Sequence, residues 1–527
     1  MIRDLAQVGD NAKNTCFIDV LVIGAGIAGL IVATRLARAD IRVLVAESGG
    51  LTQKGDRHPL NIVEQLGDIY AGAEHGRFRC LGGTSTRWGG AMLPFQKADL
   101  ELNTAGWNIE WPITLSALSA YQREIELLFN LCDGQYEAPE ILFDADGKSA
   151  EFTARLAKWP TFRYRNVANV FAADIRSEKG PVVWLNATAT EFAFDPAGRL
   201  VGVLLRSHNA KTLLVNARET VIAAGAIEST RLLLLADRQH GDRIFAPHTV
   251  LGRYFYDHLS FPAAKLENVR KMELNRLIGF RFDGSTMRNL RFEPTAEFLA
   301  ERKIPAGFVH IGFSNTKSSG FDAFRNVYRK LQRDGIPNVR DVIALAAAIP
   351  WLSRAVWWRL AEKRLLFPDG AELDVYTVIE QEPRAENRIG LSCQRVDEYG
   401  CPLATIDWRV HENDAVNALA LARAFVSAWN RGAFARLATI ELNRDDDVKS
   451  VLVQGGGIFH PGGTVRMGKD VSRGVVDSEL RTFKVPNLSV VSTATFPTGG
   501  GSNPTMMLMM AALRTADRIV QRYGQAR

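Results

Sequence analysis

The sequence predicts an α/β protein with two domains: a Rossmann-like nucleotide-binding domain, and a second α+β domain built on a mostly antiparallel sheet. A strand, a glycine-rich turn and a helix follow one another within residues 17–47. Further apolar strands recur at 219–228 and 488–492, whereas 266–443 shows strand and helix patterns without a nucleotide signal. The 527 residues also exceed what one compact core accommodates, so more than one domain is expected.

The N-terminal stretch has the order of a βαβ unit. Val20–Ile23 is a short unbroken apolar run, typical of a buried strand, and Ile41–Ala46 is a second mostly apolar run. Between them lie Gly24-Ala25-Gly26-Ile27-Ala28-Gly29 and a helical pattern that continues through Ala39. Strand, glycine turn and helix in this order form the dinucleotide-binding fingerprint.

Each glycine of the fingerprint has a physical reason. Gly24 permits the tight turn, Gly26 lets the backbone approach a pyrophosphate, and Gly29 lets the helix pack closely on the strand. Ile27 and Ala28 open the helix, whose free backbone amides attract phosphates. We therefore expect nucleotide binding at this turn and not a purely structural role.

An acidic residue extends the fingerprint. Glu47 follows the third glycine by eighteen residues, at the end of the second apolar run. A carboxylate there holds the hydroxyl pair of a ribose and repels a 2′-phosphate. This favours FAD or NAD over NADP.

The composition is that of an ordinary globular protein. Apolar residues make up 46% and charged residues 23% of the chain, and the 64 basic and 58 acidic residues leave a net charge of +6. No Lys/Arg cluster has the spacing of a nucleic-acid-binding motif. Nucleic acid is therefore not expected as a partner.

The five cysteines predict neither a disulfide framework nor a metal site. They are odd in number and scattered, and they lack CxxC or Cys/His ligand spacing. Residues 1–16 contain acidic residues and no apolar core segment, so no signal peptide is visible. The expected location is the cytoplasm, with the thiols reduced. The cysteines are Cys16, Cys80, Cys132, Cys393 and Cys401.

A second glycine-rich stretch follows at residues 79–90. It contains the pairs Gly82-Gly83 and Gly89-Gly90, which enclose small hydroxyl residues and Trp88. Turns on a surface seldom need an indole between two glycine pairs. Small residues with exposed amides suit a loop that lies against a flat ring with polar edges, such as an isoalloxazine.

The next elements open a different region and then lead back to the nucleotide-binding sheet. Leu115–Leu128 is a helical pattern in the different region, and Val182–Phe192 reads as a strand before a hairpin-like turn into Leu200–Leu205. Glu219–Glu228 is an apolar strand that ends in a small-residue turn, and the helix Ser229–Ala236 follows it. This strand is expected to run parallel to the first one, with its carboxyl end near the cofactor.

The middle of the chain contains the predicted second sheet. Phe308–Phe313 and Leu373–Glu380 are its candidate strands. Residues 325–367 form a basic and aromatic helical stretch, predicted to be two amphipathic helices packed on the domain, with peripheral membrane contact or partner docking as the alternative. Its longest uncharged run, Val342–Ser353, is too short to span a bilayer. Its first basic residues are Arg325, Arg329, Lys330 and Arg333.

The last segment contains the candidate catalytic groups. His460 precedes a Pro-Gly-Gly turn, and three glycines and a serine precede Asn503. Asn503 is placed as the N-cap of a long helix, with Pro504 at its first position and its end near Val520. The positive end of that helix is expected to point at the cofactor.

Several of these motifs together resemble the glucose–methanol–choline (GMC) flavoprotein oxidoreductases. The similarity runs nearly end to end, and it is strongest to the pyranose-oxidase and sugar-dehydrogenase branch because of residues 85–88 and 496–505. The motifs are GAGIAG with Glu47, LGGTSTRWGG, WPIT, VIAAGAIESTRLL, QEPRAENRIGLS at 381–392, HPGGTVRMG and GSNPT.

The resemblance implies FAD as the cofactor. Arg87 stands where pyranose oxidase has the histidine that bonds to the flavin, so non-covalent FAD is expected. Ala189 is implied to meet the adenine through its backbone. The implied cofactor-binding residues are Gly24, Gly26, Ile27, Ala28, Gly29, Glu47, Gly82, Gly83, Thr84, Ser85, Thr86, Ala189, Ala224, Pro504 and Thr505.

The same patterns predict the domain limits. Residues 1–102, 186–265 and 453–527 are assigned to a discontinuous FAD-binding domain. Residues 103–185 and 266–452 are assigned to the substrate-binding domain.

The resemblance places His460 and Asn503 at the reactive edge of the flavin. An imidazole near neutrality takes the hydroxyl proton while hydride leaves to flavin N5, and an amide holds the substrate oxygen. The implied reaction is oxidation of a hydroxyl group to a carbonyl, most simply on a secondary alcohol of a sugar or glycoside. The electron acceptor is left open among oxygen, a quinone and a cytochrome.

Three alternatives remain open from the sequence. A hydroxynitrile lyase keeps the fold and FAD but leaves the flavin redox-silent, and a fatty-acid photodecarboxylase uses the same fold with light. The basic aromatic stretch suggests a third alternative, a non-catalytic subunit that binds a partner.

Overall fold

A computed structural model describes residues 1–9, 15–53, 55–101, 105–107, 109–141, 151–245, 250–314, 322, 324–327, 338–368, 370–444 and 447–525. Its strands are β1 (Ile2–Asp4), β2 (Thr15–Ile23), β3 (Val43–Ala46), β4 (Val63–Gly67), β5 (Phe152–Trp159), β6 (Val182–Leu185), β7 (Thr188–Phe194), β8 (Leu200–Arg206), β9 (Thr212–Ile222), β10 (His258–Glu267), β11 (Arg281–Asp283), β12 (Thr286–Pro294), β13 (Gly307–Ser314), β14 (Glu372–Glu380), β15 (Arg388–Val396), β16 (Pro402–Trp408), β17 (Thr439–Leu442) and β18 (Leu488–Val490). Its helices are α1 (Ile27–Arg38), α2 (Lys97–Glu101), α3 (Leu115–Ser119), α4 (Gln122–Leu128), α5 (Phe162–Arg165), α6 (Val167–Val170), α7 (Ala172–Arg176), α8 (Ala226–Gln239), α9 (Lys271–Ile278), α10 (Ala296–Arg302), α11 (Val339–Ala347), α12 (Ile349–Ala361), α13 (Glu412–Arg431), α14 (Val448–Gly455) and α15 (Thr505–Gln525).

The first sheet is the nucleotide-binding one. Its strand order is β1-β6-β3-β2-β9-β8-β7, and β18 pairs with β9. The pairs from β1 to β9 and the β18–β9 pair are parallel, while β7 and β8 form an antiparallel extension. Because parallel strands end at one edge, the turns after β2, β3, β9 and β18 meet there.

The predicted βαβ unit is confirmed. Val20–Ile23 is buried at the end of β2, and α1 ends at Arg38, one residue before the predicted end. Gly24 has φ +106, and an added Cβ would lie 2.5 Å from the Ala223 oxygen, so this turn requires glycine. A Cβ on Gly29 would lie 1.9 Å from the Gly24 oxygen, which explains the close approach of helix and strand.

The second sheet is antiparallel throughout its described pairings. Its order is β11-β12-β13-β14-β10-β17, with β5 also paired to β12. Phe292 of β12 points to α13, where it packs with Phe425 and Trp429. Because side chains alternate along a strand, Arg291 and Glu293 point to the opposite face, toward the first sheet.

Two strands fall on the other side of the predicted domain limits. β6 pairs with β1 and β3 in the first sheet, although 103–185 was assigned to the second domain. β10 lies wholly in the second sheet, although residues up to 265 were assigned to the first. These memberships depend on pairing with strands far away in the chain, which local patterns do not encode.

Two predicted elements are each divided in the structure. The predicted strand 182–192 is two strands, β6 and β7, because Asn186 between them adopts φ 51. The predicted helix 115–128 is two helices, α3 and α4.

The predicted helices of 325–367 are observed as α11 and α12. Arg329, Lys330 and Arg333 lie outside the described residues. None of the described helices combines the length and apolar character needed to cross a membrane.

Lys158 forms a buried ion pair that joins β5 of the second sheet to helix α4. Its ammonium donates to Glu126 of α4 at 2.9 Å and to the Cys132 carbonyl at 2.8 Å. Lys158→Met leaves the Glu126 carboxylate buried without its partner, and we expect a loss of about 3–5 kcal/mol in unfolding free energy, measured by urea denaturation. Lys97→Met, which breaks the solvent-exposed Lys97–Glu101 pair, is the control. An equal effect of both substitutions contradicts the prediction.

Candidate active site

A cavity of about 190 Å³ lies at the edge where the parallel strands end. Residues from the glycine turn, the end of β3, the 79–90 loop and the turns after β9 and β18 line it together. Ten of the predicted cofactor-binding residues are among them. These are Gly24, Gly26, Ile27, Ala28, Glu47, Gly83, Thr84, Ser85, Ala189 and Ala224.

The backbone that lines the cavity suits the pyrophosphate of a dinucleotide. Gly26 caps α1, and an added Cβ there would meet nothing within 4 Å, so its missing side chain leaves open space at the helix N-terminus. A Cβ on Gly83 would lie 2.9 Å from the Gly26 Cα, so the second glycine loop closes against the first. Open backbone beside a helix N-terminus is what a pyrophosphate requires.

Glu47 lies at the floor of the cavity. Its two carboxylate oxygens accept hydrogen bonds from the Ala25 and Gly49 amides, each at 2.9 Å. Burial raises the pKa of Glu47 above its usual range. The carboxylate therefore ties the end of β3 to the glycine turn.

The other predicted cofactor-binding residues do not line the cavity, but two of them contact residues of the two glycine loops. The Gly82 amide donates to the Ala25 carbonyl at 2.9 Å, and Thr86 Oγ1 donates to the Gly83 carbonyl at 2.8 Å. Both contacts hold the second loop in place. Gly29 lies inside α1, and Pro504 and Thr505 lie at the start of α15 beside Asn503.

Arg87 serves the loop itself. It donates to Asp56 at 2.7 Å and to the Gln53 carbonyl at 2.9 Å, and its guanidinium lies 4.7 Å from the centre of the Phe78 ring. Of the two roles open to it, a cation beside the flavin or a partner in a loop ion pair, the contacts show the ion pair.

The structure brings the two predicted catalytic side chains into contact. Asn503 Nδ2 lies 3.2 Å from His460 Nε2, and Asn503 Oδ1 accepts a hydrogen bond from Arg291 Nη2 at 2.6 Å. A guanidinium only donates, so the amide oxygen must face Arg291 and the amide nitrogen must face the imidazole. His460 Nε2 therefore accepts a hydrogen bond from the Asn503 amide and is unprotonated.

The surroundings of His460 keep it neutral. Burial, the neighbouring His258 and the cationic Arg291 all lower the pKa of His460 well below its usual value. Burial likewise lowers the pKa of His258 to about 4. At physiological pH both imidazoles are therefore uncharged.

Asp257 holds the backbone of both histidines. It accepts hydrogen bonds from the His460 amide at 2.8 Å, from the His258 amide at 2.6 Å and from the Tyr70 hydroxyl at 2.7 Å. Burial raises the pKa of Asp257 to about 7. The rings of His258 and His460 stand at 89° with their centres 5.2 Å apart.

Asp257, His258 and His460 also place three metal-capable side chains together. Their ligand atoms lie within 4.8 Å of one another, a set that chain spacing did not reveal. Both Asp257 oxygens already accept hydrogen bonds, and His258 Nε2 lies 2.7 Å from the Gly500 carbonyl. We therefore assign the cluster to the positioning of His460.

Strands of the second sheet contact the site through Arg291 of β12. Arg291 is buried, its guanidinium lies 3.9 Å from the centre of the Phe308 ring, and its nearest carboxylate is Glu293 at 4.0 Å. Glu293 is shared with Arg155, at 2.8 Å. Beside Arg291, His310 of β13 stacks on Tyr376 of β14, with ring centres 5.4 Å apart.

Sequence reasoning missed the residues that orient His460 and Asn503. The predicted N-cap role of Asn503 is wrong: its amide bonds to Arg291 and His460, and α15 begins at Thr505, one residue after the predicted start. Arg291, Asp257 and His258 were not predicted. The available signal was an arginine inside an otherwise apolar strand pattern at 290–292, but its partner lies 212 residues away in the chain.

The cavity lining reaches the His460 segment through Thr493, whose hydroxyl donates to the Pro461 carbonyl at 2.6 Å. A nucleotide cavity with a neutral imidazole and an amide beyond it is the arrangement of an FAD-dependent oxidoreductase acting on CH–OH groups, and the chain is of this class. Residues 383–512 match the family model described as GMC oxidoreductase. This match and the relatives below support the GMC oxidoreductase family. The predicted family and fold class are confirmed.

Two relatives match over nearly their whole length. The chain is 24% identical to 2-methyl-1,2-propanediol dehydrogenase of Mycolicibacterium austroafricanum, covering 96% of each chain. It is also 24% identical to 6'''-hydroxyparomomycin C oxidase of Streptomyces lividus, covering 97% of this chain and 92% of the relative. Among solved structures, a formate oxidase matches with TM-score 0.59 and 15% identity, covering 98% of this chain and 100% of the other, which supports the fold.

Arg291→Met tests the orientation of the catalytic pair. Removal of the guanidinium frees the Asn503 amide to rotate, so we expect alcohol-driven flavin reduction to slow roughly 10- to 100-fold. Arg291 lowers the pKa of His460 and of His258, so its loss favours their protonated forms and the acid limb of the pH–rate profile should move to higher pH. Stopped-flow reduction across pH 5–9 measures both effects.

The matched control for Arg291 is Arg238→Met, at an exposed position near the end of α8. It should leave rate and profile unchanged. An acid limb that stays in place or moves to lower pH in Arg291→Met would contradict the assigned role.

Proposed function

We propose that the protein oxidises a secondary hydroxyl group of a sugar or glycoside to a carbonyl, using FAD held without a covalent bond. The observation that carries this proposal is the pairing of a neutral, proton-accepting His460 Nε2 with the Asn503 amide at 3.2 Å. The two relatives, a diol dehydrogenase and a hydroxyparomomycin oxidase by name, support a polyhydroxylated substrate. The secondary position rests on the resemblance to the pyranose-oxidase branch.

In the proposed reaction His460 and Asn503 act on the same hydroxyl group in different ways. His460 Nε2 accepts the hydroxyl proton, and Asn503 Nδ2, which is a donor, holds the same oxygen and directs the carbinol C–H bond. FAD, when bound, supplies the acceptor for the hydride. The two nitrogens lie 3.2 Å apart, so a substrate hydroxyl that replaces their hydrogen bond can contact both groups at once.

The electrostatics suit this division. A histidine held neutral by burial and by Arg291 is ready to accept a proton without first losing one. The start of α15 adds the positive end of a helix dipole, which favours negative charge beside Asn503. Asp257 keeps the backbone of His460 in place while the ring changes charge.

For the cofactor we propose the cavity residues named above. Gly24, Gly26, Ile27 and Ala28 would hold the pyrophosphate, and Glu47 the ribose hydroxyls. Gly82–Thr86 would lie against the flavin, Ala189 and Ala224 would contact the cofactor through their backbones, and Pro504 and Thr505 would present the α15 amides. Arg87 at the position of the flavin-linked histidine in pyranose oxidase supports non-covalent FAD.

His460→Ala tests the base. The substitution removes the proton acceptor and leaves the cavity untouched, so the protein should purify yellow and FAD-bound while flavin reduction falls roughly 10²-fold or more. The control His208→Ala changes an exposed histidine and should reduce at the normal rate. Unchanged reduction in His460→Ala would remove this residue from the mechanism.

The substrate class is tested by an anaerobic screen. Sugars, glycosides and simple primary and secondary alcohols are mixed with the oxidised enzyme, and loss of flavin absorbance is followed. We expect bleaching by at least one sugar or glycoside with a free secondary hydroxyl, and a ketone product. Bleaching by primary alcohols only would contradict the secondary position, and bleaching by no alcohol would favour a redox-silent lyase or a light-driven reaction.

The acceptor follows from the same screen. Active substrates are repeated with oxygen, with a quinone-type dye and with a cytochrome, and the fastest reoxidation identifies the class of acceptor.

A further inference from the structure

The consecutive helices α11 and α12, which only Ala348 separates, expose apolar side chains to solvent. Leu360 is 75% exposed, Val339 is 74% exposed and Trp357 is 61% exposed. On α12 the exposed residues Ile349, Val356 and Leu360 lie seven and four residues apart, so they form one stripe along the helix, with Trp357 beside it. The large apolar side chains of the exposed face are Val339, Val342, Ile343, Ile349, Val356, Trp357 and Leu360.

This exposed face is not needed for the core. The inner side of α12 is already buried, because Trp351, Trp358 and Leu366 form a separate small cluster. Arg276 of α9 lies 5.2 Å from the centre of the Trp358 ring and closes that side. A helix of a globular protein ordinarily turns polar residues to solvent. A helix that is apolar on both its inner and its outer side indicates a second binding surface on the outer side.

The charges around the apolar face are positive. Arg340, Arg354 and Lys363 are exposed on α11, on α12 and just after α12. The two acidic side chains of this segment, Asp341 and Glu362, are only half exposed, and both accept hydrogen bonds. Asp341 accepts from the Asn338 amide within a capping box, and Glu362 accepts from Arg276 at 2.9 Å.

Helix α9 continues this surface. Its exposed residues Lys271 and Met272 line an apolar groove of about 190 Å³ together with Trp357. Glu273 of the same helix is paired with Arg270 at 3.7 Å. An apolar stripe with a tryptophan and a basic rim is the composition of a helix that lies in the interface of an anionic bilayer.

We propose that helices α11 and α12 dock the protein peripherally on an anionic lipid surface. α12 has 13 residues, and none of the described helices is long and apolar enough to span a bilayer, so the two helices lie in the plane of the interface. The apolar stripe enters the boundary between headgroups and acyl chains, and Arg340 and Lys363 meet lipid phosphates. This inference is independent of the substrate, and its test does not use turnover as the readout.

The test is co-sedimentation of the FAD-loaded protein with vesicles. One set contains phosphatidylcholine alone, and the other contains phosphatidylcholine with phosphatidylglycerol. We expect the wild-type protein to bind the anionic vesicles at low salt and to dissociate partly as salt is raised. Leu360→Glu and Ile343→Glu should each reduce the bound fraction at least tenfold, and Arg340→Gln/Lys363→Gln should weaken both binding and its salt dependence.

The matched control is Val416→Glu on α13. The Val416 side chain is 63% exposed and lies outside α11 and α12. This variant introduces the same charge at a comparable exposure and should bind like the wild type. Retained FAD absorbance shows that each variant is folded. Failure of the wild type to sediment with anionic vesicles overturns the proposal, as does equal binding by Leu360→Glu.

A third result would assign the surface to another occupant. If the wild type forms a dimer that Leu360→Glu abolishes, and neither protein binds vesicles, the face belongs to a second copy of the chain. Light scattering coupled to size exclusion, run on the same samples, distinguishes this result.

Discussion

The buried guanidinium of Arg291 determines which end of the Asn503 amide faces His460. Because a guanidinium has donors only, its bond to Asn503 Oδ1 fixes which end of that amide faces His460. The same positive charge, with burial, holds the pKa of His460 low. Orientation of the amide and protonation state of the imidazole thus have one common cause.

This constraint exists only when the second sheet contacts the loop that precedes α15. Arg291 belongs to β12 of the second sheet, whereas Asn503 precedes α15, which packs with α1 of the first domain. The loop before Asn503 is held in the same way. Glu380 accepts from the Gly500 amide at 2.9 Å and Glu293 from the Ser502 hydroxyl at 3.1 Å, both from strands of the second sheet.

These buried carboxylates also influence the chemistry of the loop. Burial raises the pKa of Glu380 to about 8, so near neutrality it is largely protonated while it holds Gly500. A neutral acid at that position adds little negative charge beside the imidazoles. The second sheet therefore holds the loop that carries Asn503, and Glu380 adds little negative charge there.

The sequence alone determined the nucleotide half of the protein, because the βαβ unit is local. Gly24, Gly26, Gly29 and Glu47 lie within 24 consecutive residues, and the steric needs of one turn select them. Motifs that resemble a known family also predicted His460 and Asn503 as the catalytic pair, and the structure brings the two side chains into contact. Only the tertiary structure decided what orients them: Arg291, Asp257 and His258 come from the middle of the chain, where the local pattern shows at most an arginine among apolar residues and no partner. The contacts of Arg291 and Asp257 span 212 and 203 residues, and they form when strands of the second sheet meet the loops that hold His460 and Asn503.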